Sequence, residues 1–287
     1  MSIWTTVASL VSDPPPANLF ELSEAGIAYA QGKQTGFQEF EPGTLVVSPI
    51  EDNLLRADAA ASLIGRIMPG PASTKKRKPA ALILPDYAAR VSVLDFDSFP
   101  SAIEEQNSLV RFRVKKTIPF DIDSAAVSHF VQPHAAGKKI DVITVTVSLE
   151  VIARYEALLR AAGFQPGVVT TSALAALNLY RGEGVAVLAK LTGRALTVSA
   201  IANNVVKLFR CVALEDASDE EILGVLQPTF AYVEDELGSR VNKLIACGIP
   251  QEALHILRCE IEPLRSRYGT PGPFNAGLLG YLESVNN

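Results

Sequence analysis

A strand-rich pattern occurs once in each half of this chain, and a repeated unit restricts the possible folds more than any other feature. The first copy spans residues 18–47: an apolar strand (19–22), a turn over 23–26, a second strand (27–31), then a Gly-containing turn and a third strand. The second spans residues 184–214: strand 185–191, turn 192–194, strand 195–202, a hairpin turn at Asn203 and Asn204, and strand 205–212. Each copy is a three-stranded meander followed by helix and strand material. An α/β protein with two similar sheets is expected.

Outside the meanders, residues 52–68 predict a helix, with Leu54, Leu55, Ala59, Leu63 and Ile67 near one face. Strands are expected at 80–84, 90–96, 129–132 and 141–148, the last a run of β-branched residues. Ser101 and Glu104 have capping-box spacing, so a helix should run from there to Lys116, before Ile118-Pro119-Phe120-Asp121 breaks it. Residues 149–162 give the clearest helical stripe (Val151, Tyr155, Leu158, Leu159, Ala162), closed by Gly163. Further helices are expected at 172–180, 218–238, 251–264 and 275–282, with a strand at 243–247. Pro228 should kink or divide the second of these helices.

At 287 residues, 48% hydrophobic and 20% charged, the chain can build two cored subdomains. A net charge of −5 offers nothing to a nucleic-acid backbone. The one basic run, Lys75-Lys76-Arg77-Lys78, sits between prolines and reads as a solvated loop, with contact to an anionic membrane surface as the second reading. Three cysteines without CxxC spacing fit buried thiols in a reducing compartment. The N-terminal residues lack the basic segment of a signal peptide, and no window approaches the ~18 apolar residues of a membrane span. A cytoplasmic protein is expected. The three histidines (His129, His134, His255) are scattered and no metal site is expected; Asp95 and Asp97 read as strand-end solvation. No Gly-x-Ser-x-Gly elbow or Gly-x-x-x-x-Gly-Lys phosphate loop occurs.

The duplicated meander resembles the actin-like (FtsA-like) fold, a duplicated ribonuclease-H-like architecture with two halves facing across a cleft. Three segments inside that frame are similar to the PilM family, the actin-like cytoplasmic proteins of type IV pilus assembly. Residues 109–121 form a helix running into Ile118-Pro119-Phe120-Asp121. Residues 142–172 give strand, helix and return strand, with Ala161-Ala162-Gly163-Phe164-Gln165-Pro166 at the helix end. The third is the Asn275-Ala276-Gly277-Leu278-Leu279-Gly280 helix. The resemblance covers most of the chain. It implies an N-terminal arm at 1–17, a first half at 18–85 and 139–181, a small inserted α/β subdomain at 86–138, and a second half at 182–287 with a reduced helical insertion. It also implies a partner: the cytoplasmic tail of an inner-membrane PilN-like protein, in an apolar groove near Val110, Val114, Ile118, Pro119 and Phe120.

The family's first phosphate loop is Asp-x-Gly followed by small hydroxyl residues. Here Glu21 stands near the acid, followed by Ser23 and Gly26, and a Glu beside a triphosphate adds repulsion unless a cation bridges it. At the second loop Lys190 takes the acidic position, before Thr192 and Gly193; an ammonium can meet a phosphate but cannot ligate magnesium. The family's adenine loop is a Gly-Gly pair, whereas this chain has Gly248-Ile249-Pro250. Residues 215–240 are too few for the usual helical insertion over the nucleotide. Glu21 and Lys190 are expected to face each other across the cleft, in a vestigial nucleotide site without cofactor.

The leading expectation is a non-catalytic scaffold or adaptor of a type IV pilus or related secretion platform. It would be peripheral to the inner membrane through its partner and able to oligomerise. A second reading keeps ATP with magnesium through Lys190 and backbone amides. A third is the cytoplasmic-domain type of type II secretion platforms, which is usually fused to a membrane span that this chain lacks.

Overall fold

The computed structural model describes residues 15–70, 77–133 and 139–286. Most of the N-terminal arm, Lys75, Lys76 and His134 therefore lie outside the described residues. In chain order the strands of the first part are β1 (Asn18–Ser23), β2 (Gly26–Gln31), β3 (Gln34–Glu39), β4 (Lys78–Leu84), β5 (Arg90–Phe96), β6 (Ala125–Val131), β7 (Ile140–Ser148) and β8 (Phe164–Thr171). Those that follow are β9 (Val185–Thr192), β10 (Ala195–Ala202), β11 (Val205–Ala213), β12 (Lys243–Cys247) and β13 (Glu260–Pro263). The helices are α1 (Ala57–Ile67), α2 (Ile103–Val114), α3 (Leu149–Ala161), α4 (Ser172–Ala176), α5 (Asp219–Leu237) and α6 (Ala276–Val285).

Two five-stranded sheets have the same construction. The first runs β3-β2-β1-β4-β8 and the second β11-β10-β9-β12-β13. In each, the meander pairs antiparallel and the two later strands add in parallel. This is the duplicated, actin-like fold expected from the sequence. The central strands explain why it forms: β1 is buried along its whole length and β4 over the apolar run Ala80–Leu84, the burial of strands covered on both faces. Asn203 and Asn204 take positive φ, 52° and 63°, as a two-residue hairpin between twisted strands requires.

The chain divides into two compact units. One holds the residues up to Ala89, Val147–Leu179 and those from Ser266 onward; the other holds Arg90–Thr146 and Tyr180–Arg265. Two assignments read from sequence change. The inserted sheet, ordered β5-β7-β6, takes in β7, which the sequence placed in the first half. This insertion belongs to the second unit, where the Gln132 side chain acts as a strand partner for the exposed edge of β11. Its Nε2 donates to Val206 O at 2.7 Å and its Oε1 accepts from Val206 N at 2.8 Å. Lys207 of β11 pairs with Asp141 of β7 in the same place.

The second change concerns the C-terminus, which returns to the first unit. There α6 packs against α4 so closely that a Cβ on Gly280 would lie 2.1 Å from Ala175 O, and one on Gly277 would lie 2.7 Å from Ser172 Cα. Gly280→Ala is expected to destabilise the chain by about 1–3 kcal/mol through overpacking. In an unobstructed helix the same change is favourable by nearly ~1 kcal/mol. Urea unfolding checks the sign.

Other local expectations are also revised. The Ser101 capping box is not made; Ala102 precedes the helix without a side-chain cap, and Gln106 instead donates to Pro100 O at 2.7 Å. Pro228 does not divide α5, which is capped by Ser218 at its start and ends at Gly238 in the left-handed conformation. Residues 251–264 are not one helix: a single 3-10 turn (Gln251–Leu254) leads to β13, which fills the parallel edge of β12.

Candidate functional site

The first meander turn is closed upon itself. Ser23 Oγ donates to Gly26 O at 3.0 Å and accepts from Gly26 N at 3.3 Å. Gly26 lies so near β3 that a Cβ there would meet Gln38 O at 2.3 Å. Glu21 projects from β1 and is 1% exposed. Its Oε1 accepts from Ser172 Oγ at the start of α4, and its Oε2 accepts from Leu278 N, in the first turn of α6, at 2.6 Å. The Asp86 side chain repeats the device, accepting from Ala173 N at 2.6 Å. Carboxylates at helix N-termini satisfy amides that have no intrahelical partner and oppose the positive end of the helix dipole. Glu21 thus ties the central strand of the sheet to two helices, one of them reached only at the far end of the chain.

In the second meander Lys190 is fully buried on β9, opposite Thr197 of β10 and beside Cys247 of β12. Its ammonium donates to Thr192 Oγ1. The hydroxyls of Thr197 and Ser199 are buried nearby on the same sheet. Gly193 and Gly248 both take positive φ, 56° and 72°, and shape the turns after β9 and β12. Ile249 is buried in the core of the second sheet with Leu226, Leu244 and Leu254. Among the described residues, no group of three His, Cys, Asp or Glu side chains is placed to hold a metal. Asp95 is drawn to Lys139, whose hydrogen bond holds its carboxyl below the usual carboxylate range.

The partner residues expected on the insertion fare differently from one another. Val110 and Val114 are not surface residues: they form the core of the inserted subdomain with Ile122 and Ala125. Ile118 and Phe120 are half-buried and pack on that same core, and only Pro119 is exposed. The outward large apolar side chains of α2 are Ile103 and Phe112. Val110 and Val114 are therefore corrected from groove to core: the i, i+4 pair faces the sheet, and Arg111 beside it donates to Ile122 O at 2.5 Å.

Sequence reasoning missed a second apolar surface. Residues 44–56, expected to start a helix at 52, form a fixed loop instead. Asn53 is buried and organises it: its Nδ2 donates to Ser48 O and Glu51 O, both at 2.7 Å, and its Oδ1 accepts from Ser48 N at 3.1 Å. The Tyr155 hydroxyl of α3 donates to the same Oδ1 at 2.9 Å, and burial pushes that phenol well above its ordinary pKa. Leu45 and Leu54 point inward, whereas Val46, Ile50 and Leu55 stay exposed. The only signal available in the sequence was the polar run Glu51-Asp52-Asn53 before the two leucines.

No protein-family model matches the chain, and no curated protein matches it in sequence. Solved structures do resemble it. A structure described as the PilM–PilN type IV pilus biogenesis complex superposes with a TM-score of 0.68 at 15% identity, over 96% of this chain and 100% of that one. The cytoplasmic domain of EpsL, an inner-membrane component of the type II secretion system of Vibrio cholerae, gives 0.53 at 15% identity, over 94% of each chain. A Bacteroides thetaiotaomicron protein with an actin-like ATPase fold and unknown function gives 0.52 at 9%, over 91% and 94%. At such identities the likeness is one of fold, and that fold is the actin-like one.

Proposed function

We propose that this chain is a non-catalytic, nucleotide-independent adaptor of a type IV pilus or related secretion platform. In this reading it holds the cytoplasmic tail of a PilN-like inner-membrane protein and so works at the inner face of the membrane. Among the described residues no helix is long and apolar enough to cross a membrane. The observation that carries the proposal is the use made of Glu21: both carboxylate oxygens are committed to the protein's own helices. A magnesium nucleotide does not fit the residues at the two meander ends. The first offers a carboxylate already spent on α4 and α6, beside a turn with no room for a cradle. The second offers an ammonium where a metal would need an anionic oxygen.

The likeness to a PilM–PilN complex supports a tail-binding role, and that to the EpsL domain supports the broader secretion setting. Thermal unfolding with and without magnesium-ATP tests the nucleotide half of the reading. A ligand at 100 times its Kd would add about 2.7 kcal/mol to stability. The expected result is no change in melting temperature at millimolar magnesium-ATP; a saturable rise overturns nucleotide independence.

A further inference from the structure

We infer that the fixed loop of residues 44–56, together with the start of α3, is the docking surface of this adaptor, and that the segment it takes is apolar and basic. The inference rests on the adaptor reading and relocates its contact from the insertion, whose valines are buried. Four large aliphatic side chains are left in water here: Val46 is 44% exposed, Ile50 56%, Leu55 61% and Leu149 49%. Single exposed aliphatics are ordinary on a protein surface, but three on one fixed loop, with a fourth at the start of the helix tied to it, make a patch. The loop is joined to α3 by Arg154, which reaches Asp52 at 3.5 Å and Glu150 at 3.7 Å, next to Leu149.

The backbone under the patch is already satisfied. Val46 N donates to Asn53 O, Ile50 N and Glu51 N donate to Ser48 Oγ, and Val47 N donates to Glu24 Oε1. Folding therefore needs none of the outward side chains, and a preformed loop presents them at low entropic cost to a partner. The surrounding charge chooses the partner. Glu24, Glu41, Glu51, Asp52 and Glu150 lie on these elements or are bonded to them, against Arg56 and Arg154, each engaged with an acid. Cytoplasmic tails beside a membrane span carry an excess of Lys and Arg, the complement of this rim. A second copy of this chain would bring the same acids and meet repulsion.

Fluorescein-labelled synthetic peptides of the cytoplasmic tails of the single-span membrane proteins encoded beside this chain's gene are the probes, read by fluorescence anisotropy. One tail is expected to bind the wild-type chain, and to weaken as salt rises from about 50 to about 500 mM. Ile50→Ser with Leu55→Ser is expected to weaken it at least tenfold at unchanged melting temperature, while Phe112→Ser on the insertion leaves it unaltered. Binding that is indifferent to the double variant, or to salt, overturns the surface and leaves the adaptor reading standing. If no tail binds the wild-type chain, both fall. A dimer in sedimentation that the double variant dissolves overturns the inference in favour of a second copy.

Discussion

Glu21→Ala is expected to lower the free energy of unfolding by about 2–4 kcal/mol, because two buried donors each lose a hydrogen bond to a charged acceptor. Relief from desolvating the carboxylate offsets part of that loss. The donors are Ser172 Oγ and Leu278 N, so the damage should concentrate where α4 and α6 meet β1. Hydrogen exchange reads this directly: the Leu278 amide should lose its protection well before the strands of the second sheet do. Glu21→Gln should recover part of the loss, since its amide oxygen can accept from Leu278 N and its NH2 can donate to the Ser172 hydroxyl, without the charge that strengthens both bonds. Unchanged stability would mean that the carboxylate is held ready for a ligand.

Lys190→Ala should cost about 2–5 kcal/mol, the range for emptying a large buried side chain. Lys190→Met keeps most of the volume and takes the donor from Thr192, so a smaller drop is expected. The sign decides between two roles. An ammonium kept buried to meet a phosphate is a strain on the ligand-free fold, and removing it would raise the melting temperature. An ammonium that completes the fold lowers it when removed, and that is the expected outcome, measured by thermal unfolding of both variants without nucleotide.

The repeated meander was legible because its signals are local. Alternation, turn residues and the Asn203–Asn204 hairpin act within a few residues of one another, and the strands expected at 19–22, 27–31, 185–191, 195–202 and 205–212 appear there, although the first meander ends at Glu39 and not at 47. What failed was long-range. Residues 254–264 carry apolar positions at helical spacing (Leu254, Leu257, Ile261, Leu264), yet the open parallel edge of β12 draws Glu260–Pro263 into the sheet. On α2, Ile103 and Phe112 are as apolar as Val110 and Val114, and only the sheet beneath reveals which pair is buried.

At Glu21 the chemistry was not legible in the sequence. Glu21 and Lys190 stood out as wrong for a phosphate loop, but the partner that explains Glu21 lies 257 residues further along the chain. No pattern near residue 21 points to it. Likewise Leu54 and Leu55 counted together toward a helix face, while the structure buries Leu54 and exposes Leu55 on a loop fixed by Asn53.

Partner binding by this chain is proposed to need no nucleotide. Its most direct test is the affinity of the tail peptide for the purified chain, titrated once in EDTA and once in millimolar magnesium-ATP. The same Kd is expected in both. A tail that binds only with magnesium-ATP, or at least tenfold more tightly with it, would contradict it.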